Sequence, residues 1–151
     1  MTDGAREIGN LIARYAELLD GGDFEGVADL LADAVVGAVG DAAGLRGRDE
    51  VAGLFQATTL RHEDGTPRTK HVTTNLIIDL DDEAGTAAAR SYFTVLQAVP
   101  GRFPLQPVVA GRYHDRFERR AGTWRFAERR FAVDLVGDVS WHLAGDTLRG
   151  Q

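Results

Sequence analysis

The sequence predicts an α+β fold: N-terminal helices packed on a strongly curved, mostly antiparallel sheet, forming a cone with an internal pocket. Three observations carry that prediction. A 3.6-residue apolar period is confined to roughly the first sixty residues. Four long runs with a two-residue period follow, over 69–81, 86–99, 107–120 and Thr123 to about Leu135. Turn signals rather than helices separate these runs, which makes consecutive strands antiparallel neighbours.

Taken in order, Ile8, Leu11, Ile12, Tyr15, Leu18 and Leu19 form one apolar stripe, with Asp3 as the expected cap and Gly21-Gly22 as the stop. Asp23 reads as the N-cap of a second helix carrying Phe24, Val27, Leu30 and Leu31. Ala34 to Val39 reads as a short strand. Gly47 to Leu60 reads as a third helix, with Asp49 and Glu50 in its first turn and Val51, Leu54 and Phe55 facing inward. The stretches from Asp81 to Gly85 and from Arg120 to Gly122 are hairpin turns. Pro100 through Pro107 reads as a looser connection. Strands this long exceed the average of about five or six residues, so the sheet must twist and curve. One domain over 1–151 is expected, with a core at about 5–135 and a C-terminal tail at 136–151.

Composition narrows the function. The chain has 151 residues, 44% hydrophobic and 26% charged, as in ordinary globular proteins. It has no cysteine, which removes disulfides, thiolate metal sites and a Cys nucleophile. The net charge of −6, from 23 acids against 17 bases, argues against nucleic acid as a partner. The start, MTDGAREIGN, lacks a basic and an apolar signal region, and no apolar run approaches the ~18 residues of a membrane span; a cytoplasmic location and no membrane partner are the expectation. His62, His71, His114 and His142 show no H-x-x-x-H or H-x-H spacing, so no metal is expected. No G-x-G-x-x-G and no nucleophile elbow occur, and no cofactor is expected.

Two residues stand out chemically. Asp20 falls in the last turn of the first helix, facing the negative end of the macrodipole at a cost of ~0.3–1 kcal/mol. Solvation or a salt bridge could offset that cost, and so could an ionic hydrogen bond to a histidine, which would fix the ring's tautomer. His71 alternates with Thr73, Asn75, Ile77 and Asp79, opposite the apolar set Val72, Thr74, Leu76, Ile78 and Leu80. A mixed face of this kind suits a pocket wall or a solvated surface. Histidine near neutral pKa is suited to taking a proton and returning it. Tyr15, Asn75, Tyr92, Arg112 and Tyr113 are the substrate-binding candidates, each also readable as a core aromatic or cross-strand partner. Tyr92 or Asn75 would polarise a carbonyl or enolate oxygen. Trp124 and Phe126 read as sheet core, and the arginines from Arg116 to Arg130 as partners for acids across strands or at a dimer interface. His62 reads as exposed in a polar loop, only one of Tyr113 and His114 can face the cavity, and His142 follows Trp141 in a tail with no assigned place, for which a course over the cavity mouth stays open.

Several stretches taken together resemble the SnoaL-like branch of the nuclear transport factor 2-like superfamily. They are Arg14-Tyr15-Ala16 through Leu19-Asp20-Gly21-Gly22-Asp23-Phe24, Gly47 to Phe55, His71-Val72-Thr73-Thr74-Asn75, Gly111-Arg112-Tyr113, and Phe117 to Phe126. The resemblance spans residues 5–135. It implies a homodimer packed through the sheet. Scytalone dehydratase and the lindane dehydrochlorinase in that superfamily pair an Asp at the end of the first helix with a His early in a long strand, and Asp20 and His71 match those places. Scytalone dehydratase-like enzymes add a tyrosine before the Asp and a histidine on the next strand; here those places offer Leu19, and Tyr92 and Gln97. The dehydrochlorinase-like pattern, with an Arg late in the sheet, fits better.

The resemblance implies a small cofactor-independent lyase or isomerase, of dehydratase, cyclase or double-bond isomerase type. Asp20 and His71 would be catalytic, acting on a small apolar or aromatic metabolite such as a polyketide. The alternative is a non-catalytic small-molecule-binding or dimerisation domain of the same fold.

Overall fold

A computed structural model describes residues 3–145 and Thr147; residues 1 and 2, residue 146 and residues 148–151, the last two sets belonging to the expected tail, lie outside the described residues. The described chain runs α1 (Gly4–Asp20), α2 (Phe24–Leu30), β1 (Val35–Ala38), β2 (Leu45–Arg46), α3 (Arg48–Thr58), β3 (Thr69–Asp81), β4 (Thr86–Val99), β5 (Phe103–Arg120) and β6 (Thr123–Val136). The architecture is α+β, as expected.

In α1 the stripe resolves into Ile8, Ile12, Tyr15 and Leu19 fully buried, with Leu11 and Leu18 half-buried at its flanks. Asp3 does not cap the helix; its carboxylate accepts instead from Arg6 at 2.8 Å. Asp23 does cap α2, accepting from the Gly26 N–H at 2.8 Å. Between these helices the chain turns through Gly22, at φ +76°, where a Cβ would sit 2.2 Å from the Gly65 carbonyl oxygen. Only glycine allows that approach, and it presses the end of α1 against the loop before β3.

The sheet order is β2-β1-β6-β5-β4-β3. β3 to β6 form the antiparallel meander read from the sequence. β1 is parallel to β6, and the two-residue β2 was not anticipated, being too short to show any period. The connection expected to be loose from Pro100 to Pro107 is a tight turn, with Val99 opposite Phe103. Pro104 and Pro107 sit inside β5, tolerated because β6 pairs only from Val109 onward and leaves that end of β5 one-sided.

The inner face of the sheet is the core. It comprises Ala87, Ala89, Phe93, Val95 and Val99 of β4, Val109, Tyr113 and Phe117 of β5, and Trp124 and Phe126 of β6, packed on the α1 stripe and on Val51, Ala52 and Phe55 of α3. One charged pair is sealed within it, Arg129 with Asp115.

A bulge in β3 overturns the single alternation expected there. Thr74 opposes Tyr92 and Ile77 opposes Arg90, so Asn75 and Leu76 together face the one residue Ser91. Asn75 takes φ +54°, a conformation asparagine adopts more readily than most residues. Parity switches across this point. Thr69, His71 and Thr73 oppose the inner Gln97, Val95 and Phe93, whereas further on Ile78 and Leu80 oppose the inner Ala89 and Ala87. Ile77 and Asp79 consequently face outward and do not share the His71 face.

Candidate active site

β3 enters the sheet at Thr69 beside the last residue of α1, and Asp20 is satisfied there three times over. Its Oδ1 accepts from the Thr69 hydroxyl at 2.8 Å and lies 2.5 Å from His71 Nδ1; its Oδ2 accepts from the His71 backbone N–H at 2.8 Å. The two side chains are 10% and 7% exposed. Burial pushes the Asp20 carboxyl up, but the bond from the His71 ring, the charge it can carry and the two further donors prevail and hold it below the ordinary carboxylate range. An ionised Asp20 accepts from His71 Nδ1–H, which keeps the ring proton on Nδ1 and leaves Nε2 as the basic nitrogen. The helix-end cost at Asp20 is thus offset by ionic hydrogen bonds rather than by solvent.

His71 forms part of the wall of a cavity of about 530 Å³ between α1, α3 and the inner face of the sheet. The lining is mostly apolar: Leu19, Leu54, Phe55, Phe93, Val95, Val109, Phe131 and Val133. Of the substrate-binding candidates, Tyr15 and Tyr113 line it. Their rings meet edge to face at 5.9 Å, and burial raises both phenols above their usual range, keeping them as O–H donors. His114, next in sequence to Tyr113, points to the outer face.

Asn75, Tyr92 and Arg112 are not in the cavity, and their expected pocket role is corrected. Asn75 forms the exposed bulge. Tyr92 is 53% exposed on the outer face, because its neighbours Ser91 and Phe93 take the inner parity. Arg112 is also outward, flanking the inner Gly111 and Tyr113, and pairs with Asp134 across β6 at 2.9 Å. These three border a shallow depression on the outside of the sheet with Ile77 and His114.

Four of the arginines from Arg116 to Arg130 pair with acids, Arg119 with Asp82 and Arg125 with Asp33 between elements, Arg120 with Glu118 and Arg130 with Glu128 within one strand, whereas Arg116 pairs with no acid among the described residues. Arg129 differs. Arg129 and Asp115 have side chains 1% and 0% exposed, 3.0 Å apart, and the guanidinium lies 3.5 Å from the Tyr113 ring centroid and 4.2 Å from that of Tyr15. Tyr113 is in turn stacked on Phe93 at 4.6 Å. Burial lifts the Asp115 carboxyl to about 6 against the opposing Arg129 charge. Arg129 therefore backs the two cavity tyrosines and does not itself line the cavity.

Sequence reasoning missed the residue that closes the site. After β6 the chain turns back and pairs with the segment following α3: the Leu60 N–H donates to the His142 carbonyl at 2.8 Å and the Ala144 N–H to the Thr58 carbonyl at 2.9 Å. The Trp141 carbonyl accepts from Gln97 Nε2 at 2.9 Å and lies 2.8 Å from His62 Nε2. His62 is therefore half-buried and fastened, not exposed. The next residue, His142, is 5% exposed, lines the cavity, and sets its ring edge to face with His71 at 6.1 Å. Burial, with His71 and His62 nearby and Asp20 opposing, lowers His142 to about 4, so its ring is neutral at neutral pH. Its Nδ1 is enclosed with no hydrogen-bond partner among the described residues. The only available sequence signal was Trp141 beside a histidine outside any periodic segment. Among the described residues no group of three or more His, Cys, Asp or Glu is placed to hold a metal ion.

A helix layer closing a curved antiparallel meander over an apolar cavity defines an NTF2-like cone. The chain belongs to the SnoaL-like domain family, whose model matches residues 3–130. Among solved structures it is similar to an NTF2-like protein with a cystatin-like fold from Novosphingobium aromaticivorans, at 26% identity over 91% of this chain and 86% of that one, TM-score 0.70. It is also similar to a provisionally assigned scytalone dehydratase from the same organism, at 26% identity over 91% of each chain, TM-score 0.69. A Mycobacterium tuberculosis protein of unknown function matches at 26% identity over 87% of this chain and 72% of that one, TM-score 0.68. No curated protein matches the sequence. No helix among the described residues is long and apolar enough to cross a membrane.

Proposed function

We propose that the protein is a cofactor-independent lyase or isomerase in which His71 moves a proton and Asp20 orients and charges it. The observation that carries this reading is the 2.5 Å contact of His71 Nδ1 with an otherwise satisfied Asp20 at the wall of an apolar cavity. In that setting Nε2 takes a proton from a carbon beside a carbonyl or a leaving group, and the imidazolium is stabilised as it forms. Dehydration, cyclisation and double-bond shift all use this step. The mostly apolar lining fits a small apolar or aromatic metabolite of the polyketide kind.

The test is exchange of α-protons for solvent deuterium in a panel of enolisable aryl ketones, followed by NMR. The wild type should exchange at least one member, His71→Ala should lose ~10²–10⁴-fold in rate, and Asp20→Asn should lose a comparable factor through the wrong tautomer. Wild-type rates in both variants would end the dyad reading.

A second reading is supported by the same carboxylate. Three hydrogen bonds make Asp20 a staple between α1 and β3, which a non-catalytic binding domain could also use. Ligand binding without exchange in any member of the panel would favour it. For the expected homodimer, the outward Val72, Ile77, Tyr92 and Leu135 offer apolar surface on the sheet. Light scattering of Ile77→Lys with Tyr92→Glu should show a monomer where the wild type is a dimer.

A further inference from the structure

His142 is placed where a group that holds substrate oxygen is needed. The residues expected to polarise a carbonyl, Asn75 and Tyr92, face outward, so that role has no occupant among them. Gln97, on the strand next to His71, is turned to another task. It donates to the Pro67 and Trp141 carbonyls and so fixes the returning tail. The Leu60 N–H holds the carbonyl of His142 itself and the Ala144 N–H bonds Thr58, and from this clamp the His142 side chain lines the cavity.

We infer that His142 is a substrate-contacting residue: its ring N–H holds the carbonyl oxygen of a neutral enolisable ketone while His71 works on the adjacent carbon. The inference rests on the proton-transfer reading of His71. Nδ1 of His142 is enclosed with no partner, whereas Nε2 is not among the enclosed unpartnered atoms, and it is the ring nitrogen left to meet a ligand and to carry the N–H when it does. A neutral ring can donate without carrying a charge into an apolar site. In the step, His71 Nε2 takes the α-proton, the C–H electron pair becomes the C=C bond, and the carbonyl π pair moves to oxygen. The oxygen, now negative, rests on His142 N–H, and the proton returns from the His71 imidazolium to carbon or oxygen. The two rings are direct neighbours in the cavity wall, edge to face with 6.1 Å between centroids, so a C–C=O fragment lying across both can meet the two at once. Among the cavity-lining residues none is Arg or Lys, so the fitting substrate carries no carboxylate or phosphate.

The test needs no turnover. Benzophenone and 1,1-diphenylethene share a shape and differ by C=O against C=CH₂, and neither has an α-proton. Their affinity ratio, measured for the wild type and for His142→Phe, isolates the oxygen contact. One hydrogen bond predicts that the ketone-to-alkene ratio falls about threefold to tenfold in His142→Phe, while the alkene binds both proteins alike and His142→Gln, which keeps a donor, largely restores the ratio. In the wild type, the ¹³C resonance of carbonyl-labelled benzophenone should lie downfield of its position in an apolar solvent. If His142→Phe does not fold, persistence of that shift in Tyr15→Phe and in Tyr113→Phe decides the matter, since both phenols also line the cavity.

An unchanged ratio in His142→Phe, an unshifted carbonyl in the wild type, or loss of the ratio in Tyr113→Phe instead would overturn the assignment, as would failure of both probes to bind. Loss of the ratio in His142→Phe while His71→Ala still exchanges α-protons would sink the dyad and leave the His142 contact standing.

Discussion

Asp115→Asn keeps the shape of the side chain and removes only its charge. The structure makes that a severe change, because the Arg129 guanidinium left behind is 1% exposed and pairs with no other carboxylate among the described residues. The Tyr113 and Tyr15 faces, at 3.5 and 4.2 Å, return ~0.5–2 kcal/mol of cation–π attraction, which they already supply in the wild type. Breaking one side of a buried pair costs ~3–5 kcal/mol. At ~2–4 °C per kcal/mol for a chain of this size, the melting temperature should fall by ~6–20 °C. Urea unfolding at pH 7.5 is the assay, with the midpoint read at unchanged slope. The paired replacement Asp115→Leu with Arg129→Met should recover most of the loss, since replacing both charges by apolar groups removes the uncompensated one. A loss below ~1 kcal/mol in Asp115→Asn would refute the reasoning, because it would mean that water reaches the guanidinium.

Other perturbations follow from the same geometry. His142, held near 4 against an ordinary 6.5, is neutral in the fold while the unfolded chain takes up a proton, so its contribution is full above pH 6.5 and is lost as pH falls toward 4. Relative to His142→Phe, the wild type should lose up to ~3 kcal/mol over that window; a parallel pair of stability–pH curves would contradict the burial of the ring between His71, His62 and Asp20. Gly22→Ala should cost at least ~2 kcal/mol, from the clash with the Gly65 carbonyl and the positive φ. The same variant should move the ¹⁵N resonances of the His71 ring, because Asp20 sits two residues away; an unmoved His71 signal would show that the Gly22 contact does not position the carboxylate. Asn75→Val should cost ~1–2 kcal/mol at φ +54° and Asn75→Gly about nothing, as thermal melts can tell.

The meander and the α1 stripe were legible because each is written locally, as a period of two or of 3.6. The Asp20–His71 pairing joins residues 51 apart and was reached through the family resemblance, since a carboxylate at a helix end by itself left solvation or a salt bridge equally open. Tyr92 and Arg112 were misplaced although the information was present. Phe93 and Val95 already claim the inner parity of β4, and Gly111 and Tyr113 that of β5, which sends Tyr92 and Arg112 outward. Asn75 was misread because alternation was carried straight through a bulge that only the partner strand reveals. His142 lay beyond reach for a different reason. Its position is set by Gln97 and His62, 44 and 79 residues from Trp141, through carbonyl contacts that leave no periodic trace.

The bulge at Asn75 and Leu76 also governs how β3 can change its length. On one side the strand delivers Thr69 and His71 to a cavity, and on the other Ile78 and Leu80 to the core, and the two halves are out of phase by one residue. A single deletion between Thr74 and Ile77 would remove the bulge and straighten the ladder with both halves still in phase, His71 opposite Val95 and Ile78 opposite Ala89. A one-residue deletion or insertion elsewhere between His71 and Leu80, with the bulge kept, would instead turn one half over, exposing Ile78 and Leu80 or rotating the histidine away from Asp20. The segment therefore acts as a phase joint, and one-residue gaps in the aligned sequences of true functional equivalents should fall at it.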